Sequence, residues 1–190
     1  MLSNLIRSAF TTIRRLTGRS DFRTWSGRKN LSDDWDERTR CLASMVEPGS
    51  AVIEFGAGRL ALADLLPKGC TYTPSDIVDR GKGTIVCDLN AATLPNFGTH
   101  DVAVFSGVFE YVHDVPRLVA HLTKSVDVII TSYAAKDRGR KRNRRAMGWV
   151  NDYTDSEFTE LFEAANFRKT DTDAWNSQVI YKFQRGSNTA

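Results

Sequence analysis

The sequence predicts an α/β fold, a three-layer sandwich in which a mostly parallel sheet lies between helices and ends in a C-terminal antiparallel hairpin. From residue 51 onward, short apolar runs that end in a polar residue or glycine alternate with helical or loop segments. This pattern is typical of strands that are buried on both faces. Near the C-terminus, only residues 175–177 separate two strand-like runs, which predicts the hairpin. The composition, 41% hydrophobic and 26% charged, excludes a wholly disordered or fibrous chain of this length.

Two helices are predicted before the sheet begins. Residues 2–17 place Leu, Ile and Ala at helical spacing, with arginines on the opposite face. Ser32 is positioned to cap a second helix at about residues 34–46. We therefore expect an N-terminal basic helix and linker, residues 1–34, followed by one domain, residues 35–190.

The remaining elements follow from the apolar runs and the signals that stop them. Strands are expected at 51–55, 71–75, 84–87, 102–106, 126–131, 167–174 and 178–185. Helices are expected at 59–66, 115–123 and 155–165. The links 76–84 and 88–101 are too short for ordinary crossover helices, so the sheet should be only partly covered there.

The strongest local motif directly follows the first predicted strand. Gly56 and Gly58 lack Cβ atoms, so the backbone can turn sharply and approach a ligand at the carboxyl edge of the sheet. Together with Ala61 and with Asp76 twenty residues after Gly56, these glycines satisfy the dinucleotide fingerprint that favours NAD.

Other features favour a different ligand. Glu54 stands inside the strand, two positions before Gly56, where it would suit a cationic ligand better than a pyrophosphate. A second acidic residue, Asp88, ends the strand that follows Asp76. The predicted hairpin also completes the sheet where a dehydrogenase would need a substrate domain.

In this combination of motifs the chain resembles the class I S-adenosylmethionine-dependent methyltransferases. The matching pieces are VIEFGAGRLA at 52–61, TPSD at 73–76, VCDLN at 86–90, VFSGVFEYVHD at 104–114 and the helix and hairpin at 155–185. The resemblance covers about residues 35–185 and implies a Rossmann-like fold, S-adenosylmethionine as cofactor and methyl transfer as the activity. One departure is Leu60, which stands where the family commonly has a third glycine.

The resemblance also implies a set of cofactor contacts. They are Glu54, Gly56, Ala57 and Gly58 at the methionine portion, Asp76 at the ribose hydroxyls, Asp88 and Leu89 beside the adenine, and Ser106 and Gly107 at the sulfonium and the acceptor. Methyl transfer mainly requires donor and acceptor to be aligned and water to be excluded, so a catalytic base is optional. If the acceptor is a hydroxyl, His113 is the candidate base.

Acceptor contacts are harder to predict from the sequence. Candidates near the carboxyl ends of predicted strands are Tyr111, Glu110 and Tyr133. Arg138 and Arg142 belong to a basic segment, residues 136–145, with seven basic residues and one acidic residue. This segment would suit an anionic acceptor, either a small molecule or a glycan-type one. No His, Cys, Asp or Glu cluster has the spacing of a metal site.

Two alternatives to this interpretation remain open. The basic segment could bind nucleic acid, with or without RNA methylation, and the fingerprint could hold NAD in an oxidoreductase. Residues 1–19 carry four arginines and no acidic residue, so they could lie on an anionic membrane surface, pack over the cofactor cleft or contact another subunit. The three cysteines show no CxxC pair, which favours free thiols and a cytoplasmic location.

Overall fold

The structure, a computed structural model, describes residues 2–139 and 142–186. Within these residues the strands are β1 (Ala51–Phe55), β2 (Thr71–Asp76), β3 (Ile85–Val86), β4 (Val102–Phe105), β5 (Val128–Tyr133), β6 (Phe167–Trp175) and β7 (Gln178–Arg185). They form one sheet in the order β3-β2-β1-β4-β5-β7-β6. The pairs among β1 to β5 are parallel, whereas β7 runs antiparallel to both β5 and β6. The predicted α/β sandwich with its C-terminal hairpin is confirmed.

Six α-helices surround this sheet in the described part of the chain. They are α1 (Leu2–Thr17), α2 (Phe22–Trp25), α3 (Asp36–Ala43), α4 (Ala61–Leu65), α5 (Val115–Leu122) and α6 (Asp155–Glu163). Short 3-10 turns lie at Arg28–Asn30, Asp33–Trp35 and Phe109–Tyr111. The links 77–84 and 88–101 fall wholly within the described residues and contain no helix, as their length predicts.

Several predicted boundaries shift for physical reasons. The helix expected at 34–46 is divided, because the Ser32 hydroxyl caps the 3-10 turn by accepting from the Asp34 amide, and α3 starts only after it. The strand expected at 126–131 runs from Val128 to Tyr133. Val126 still belongs to the turn that closes α5, and pairing with β7 extends the strand at its far end.

Apolar side chains cover both faces of the sheet. On one face an aromatic cluster joins α6, β5 and the hairpin: Phe158 stacks on Tyr133 at 4.1 Å between ring centroids, and Phe162 stacks on Phe183 at the same distance. On the other face Leu42 and Leu62, from α3 and α4, pack against Val104. Burial on both faces explains why the parallel strands appear in the sequence as continuous apolar runs.

The strand order places a crevice beside β1. The chain leaves β1 toward β2 on one side and later returns to β4 on the other, so the carboxyl ends of β1 and β4 form a topological switch point. Open α/β sheets bind ligands at such points. None of the described helices is both long and apolar enough to cross a lipid bilayer.

Candidate active site

A cavity of about 830 Å³ opens at the carboxyl ends of β1, β2 and β4. Its size is that of a small-molecule or cofactor site. Four parts of the chain line it: the strand ends with the loops that follow them, the segment from Ser20 to Thr39, residues within 139–149, and the tip of the β6–β7 hairpin. The segment before residue 35 is therefore part of the site wall.

The glycine turn after β1 forms the floor of the cavity. Gly56 and Gly58 both have positive φ, +68° and +51°, which glycine adopts without strain. A Cβ at Gly56 would lie 2.6 Å from Cγ2 of Val108, so this position also requires glycine sterically. Leu60, in place of the third glycine, has a φ of 64° and immediately precedes α4. This leucine therefore takes on a left-handed conformation that L-residues rarely adopt.

Glu54 is buried at the end of β1 and lines the cavity. The Tyr72 hydroxyl donates a hydrogen bond to its Oε2 at 2.5 Å. Burial raises the pKa of Glu54 to about 8, although the bond from Tyr72 acts in the opposite direction. A positively charged ligand group at this end of the cavity would stabilise the ionised carboxylate.

Asp76, at the end of β2, is held by two groups. Its Oδ2 accepts from the Gly58 amide at 2.8 Å, and its Oδ1 accepts from Nη2 of Arg80 at 3.1 Å. Both side chains of this ion pair are at most 5% exposed. Arg80 also donates to the carbonyl oxygens of Trp25 and Ser26. Arg80, which the sequence did not single out, thus links the Asp76 carboxylate to the N-terminal segment.

Asp88 and Leu89 lie on the neighbouring wall, after β3. Oδ1 of Asp88 accepts from the Ser20 hydroxyl at 2.6 Å and from the Asn90 amide at 2.9 Å. Asn90 in turn donates from its side chain to the Tyr111 carbonyl. The N-terminal segment is therefore fastened to this side of the cavity as well.

Ser106 and Gly107, after β4, contact an arginine that the sequence analysis did not single out. Nε of Arg38 donates to the Ser106 hydroxyl and Nη2 donates to its carbonyl, both at 3.0 Å. Gly107 has a φ of +66°, and a Cβ there would lie 2.4 Å from Nη1 of Arg38. The glycine is needed so that the guanidinium can approach the strand end.

Arg38 is a buried cation in the wall of the cavity. Its Nη1 donates to Oε1 of Gln178 at 3.1 Å, and its guanidinium lies 5.6 Å and 5.5 Å from the ring centroids of Trp35 and Trp175. Burial lowers the pKa of Arg38, and the nearby Glu110 opposes that change. Since arginine keeps its proton in proteins, the site contains a fixed positive charge.

Glu110 is fully buried beside Arg38 and lines the same cavity. Its Oε1 accepts from the Ala134 amide and from Nε2 of Gln178, each at 2.9 Å. Nothing in residues 2–139 or 142–186 donates a hydrogen bond to its Oε2. Burial raises the pKa of Glu110. One carboxyl oxygen of this side chain is thus buried, closed off from solvent and without a donor among the described residues.

Aromatic side chains form much of the remaining wall. The Tyr111 ring contacts Trp25 edge-on at 4.7 Å between centroids, and the Tyr111 hydroxyl accepts from Nε1 of Trp149 at 3.3 Å. Burial, followed by the charge of Glu110, raises the pKa of Tyr111, so its hydroxyl stays protonated. Tyr111 was predicted to be an acceptor contact, and it does line the cavity.

The structure does not bring every predicted residue to the cavity. His113 lies away from its lining, because Nε2 of His113 hydrogen-bonds the Arg19 carbonyl on the outer side of the 109–111 turn. Tyr133 is fully buried in the core, where its hydroxyl donates to Asn151. Of the two predicted arginines, Arg142 lines the cavity, whereas Arg138 pairs with Asp155 at 2.6 Å.

Four of the seven cations of the basic segment form ion pairs with acidic side chains of the protein. Its ion pairs are Lys136 with Glu157, Arg138 with Asp155, and both Arg144 and Arg145 with Asp152. Arg140 and Lys141 lie outside the described residues. The residue counts of the segment could not show this pairing, because the acidic partners lie outside the segment, up to 21 positions from the cations that they pair with.

Comparison with solved structures identifies the fold. The Burkholderia thailandensis 1,6-didemethyltoxoflavin-N1-methyltransferase, bound to 1,6-didemethyltoxoflavin and S-adenosylhomocysteine, is 20% identical with a TM-score of 0.64, over 96% of this chain and 88% of that chain. The Synechocystis magnesium protoporphyrin IX methyltransferase with bound S-adenosylmethionine is 17% identical with a TM-score of 0.60, over 93% and 97%. Human N-acetylserotonin methyltransferase is 15% identical with a TM-score of 0.65, over 87% and 58%. At these identities the likeness concerns the fold.

The family is identified by comparing the sequence with models of protein families. No curated protein has a sequence significantly similar to this chain. Residues 26–172 nevertheless match the family described as a methyltransferase domain, which covers well over half of the chain. With its glycine turn, strand-end carboxylates and sheet order, the chain belongs to the methyltransferase domain family.

Proposed function

We propose that the protein transfers a methyl group from S-adenosylmethionine to a small organic acceptor in the cavity beside β1 and β4. The observation that carries this proposal is the continuity of the cavity. One end has the glycine turn with Glu54 and Asp76, and the other has Arg38, Glu110 and aromatic rings. The family match favours this methyl donor over NAD.

The residues at the first end fit the cofactor. Gly56 and Gly58 leave the backbone open to a ligand, and the buried Glu54 carboxyl suits the positive charges of the methionine portion. Asp76 has a carboxylate already oriented by the Gly58 amide, which suits ribose hydroxyls. Ala57 belongs to the same turn, and Asp88 and Leu89 form the wall on the adenine side.

The residues at the other end suit a planar acceptor that carries an anionic or hydrogen-bonding group. Trp25, Trp35, Trp149 and Tyr111 offer ring faces and edges, and Arg38 supplies a fixed positive charge. Arg142 adds a second cation at the rim. The solved neighbours named above are methyltransferases of 1,6-didemethyltoxoflavin, magnesium protoporphyrin IX and N-acetylserotonin, which agrees with a small organic acceptor.

For methyl transfer, these side chains mainly have to align the methyl donor with the acceptor. When bound, the cofactor supplies an activated methyl group, so that a carbon–sulfur bond breaks as the acceptor bonds the carbon and S-adenosylhomocysteine leaves. Ser106 and Gly107 border the place where the two ligands meet, and the aromatic wall excludes water.

A transfer assay with labelled methyl groups tests this function. The purified protein is incubated with S-adenosylmethionine labelled at the methyl carbon and with small-molecule extracts, total RNA or total protein as separate acceptor pools. We expect label in the small-molecule pool, lost when Arg38 is replaced by Met. Label found only in RNA would overturn the proposed acceptor class and revive the nucleic-acid alternative, which the internal pairing of the basic segment disfavours.

A further inference from the structure

Helix α1 shows its apolar side to solvent. Six large apolar side chains are between 50% and 82% exposed: Leu2, Leu5, Ile6, Phe10, Ile13 and Leu16. Their spacing places them on one face of the helix, opposite Thr11, which is fully buried against the body of the protein. An ordinary surface helix of a globular protein has the reverse orientation.

Polar contacts fix this orientation. Arg14 pairs with Asp21 at 2.9 Å, and Arg15 approaches Asp152 at 3.6 Å. Nη2 of Arg7 donates to the Met147 carbonyl at 3.4 Å. The arginines that the sequence places opposite the apolar residues thus hold α1 to the domain, and the apolar face is left pointing outward.

We propose that the outward face of α1 is a docking surface for a bilayer that contains anionic lipids. Sixteen residues give a helix about 24 Å long, so the apolar face is a continuous stripe rather than a scatter of single side chains. A helix with one apolar face and a basic polar face lies in the plane of the membrane interface, with the apolar side chains among the lipids. Phe22, which is 55% exposed, adds a further apolar side chain just after the helix.

Charge favours a bilayer over a second copy of the chain as the occupant. Helix α1 contains arginines and no acidic residue, and the neighbouring acids Asp21 and Asp152 are already used in ion pairs. Arg19 and Arg23, which follow α1 in the chain, are exposed. Two copies that met through α1 would bring these cations together, whereas a negative lipid surface attracts each of them.

Docking would also bring the active-site cavity to the membrane. The Arg7 contact is to Met147, and Met147 lines that cavity. The rim of the cavity would then lie close to the lipid surface, where amphiphilic acceptors collect. The surface itself does not depend on the proposed activity, so vesicle binding and methyl transfer are tested separately.

Vesicle flotation tests the apolar face. The full chain is mixed with phosphatidylcholine vesicles containing phosphatidylglycerol, or with phosphatidylcholine alone. We expect the protein to float with the anionic vesicles, and we expect Ile6→Gln/Ile13→Gln to lower the partition coefficient more than about tenfold, since both side chains are exposed and each loses several buried methylenes. Asn4→Gln, at an exposed position on the side of α1 opposite the stripe, is the matched control and should stay within about twofold.

A second pair of variants tests the charges. Each arginine near an anionic surface contributes about fivefold to binding, so Arg19→Gln/Arg23→Gln should weaken binding to anionic vesicles by about 25-fold. Lys124→Gln, an exposed cation at the end of α5, is the control. The proposal is overturned if the wild-type protein stays in the bottom fraction of the gradient with both vesicle types. It is also overturned if sedimentation velocity shows a dimer that the Ile6→Gln/Ile13→Gln change dissociates, because the face would then belong to a second copy.

Discussion

Replacing Asp76 by Asn should separate a structural role from a binding role. The Asp76 carboxylate and the Arg80 guanidinium are both almost fully buried and lie 3.1 Å apart. Removing one member of a buried ion pair leaves the other charge without its partner, which costs about 3–5 kcal/mol. We therefore expect Asp76→Asn to lower the free energy of unfolding by about 3 kcal/mol. Asp64→Asn, at an exposed position on α4, should change it by less than about 0.5 kcal/mol.

The double variant Asp76→Asn/Arg80→Met removes both charges. Because no unpaired ion remains, most of the lost stability should return. The affinity for S-adenosylhomocysteine should not return, since a carboxylate that accepts from ribose hydroxyls contributes about 1.5–3 kcal/mol, or at least tenfold in Kd. Arg80→Met alone leaves Asp76 with its bond from the Gly58 amide and should retain most of the affinity.

Urea unfolding followed by circular dichroism and titration calorimetry measure these two quantities on the same proteins. Unchanged stability in Asp76→Asn would show that the ion pair between Asp76 and Arg80 contributes nothing to the free energy of unfolding. Wild-type affinity in the double variant would refute the assignment of Asp76 to the ribose.

Three further predictions concern the floor and rim of the cavity. Because burial raises the pKa of Glu54 from 4.5 to about 8, the folded state binds its proton more tightly, so stability should fall as pH rises between these values. In Glu54→Gln the free energy of unfolding should change less with pH over this range. In urea unfolding, Gly56→Ala should destabilise the protein more than Gly81→Ala. Both glycines have positive φ, but only a Cβ at Gly56 would meet Val108. Equal losses of stability would exclude the steric contribution. His113→Ala should leave the calorimetric Kd for S-adenosylhomocysteine within about twofold, because His113 lies away from the cavity lining. A larger change in Kd would show that His113 contributes to binding.

The sequence was informative where local pattern decides the structure. Apolar runs such as 51–55 and 102–106 mark strands because both faces of a parallel sheet are buried. The positions of Gly56 and Asp76 at strand ends follow from the same pattern, since parallel strands bring their carboxyl ends to one edge. Thus the fold, and the meeting of the glycine turn and Asp76 at one edge of the sheet, could be predicted from spacing and residue type.

Other parts of the site depend on contacts that no spacing reveals. Arg38 reaches Ser106 across 68 positions and Gln178 across 140, so nothing near Arg38 in the sequence indicates a buried guanidinium. His113 and Glu110 are three positions apart, and only the 3-10 turn at Phe109–Tyr111 decides which of them faces the cavity. The acceptor end was therefore predicted less well than the cofactor end.

The same is true of the charged segments. Seven basic residues in ten positions suggest an anion-binding surface. In the structure, acids from α6 and from the loop before it pair with several of these cations. For α1, periodicity correctly predicted an amphipathic helix, but only the tertiary contacts show that its polar face is the one that packs against the domain.

The central claim is that the cavity beside β1 and β4 binds S-adenosylmethionine, and isothermal titration of the purified protein tests it most directly. We expect saturable binding of S-adenosylmethionine and S-adenosylhomocysteine at one site per chain, strongly weakened by Asp76→Ala, and no heat signal with NAD. A folded protein that binds NAD in their place, or that binds both sulfur ligands equally well without Asp76, would contradict the account.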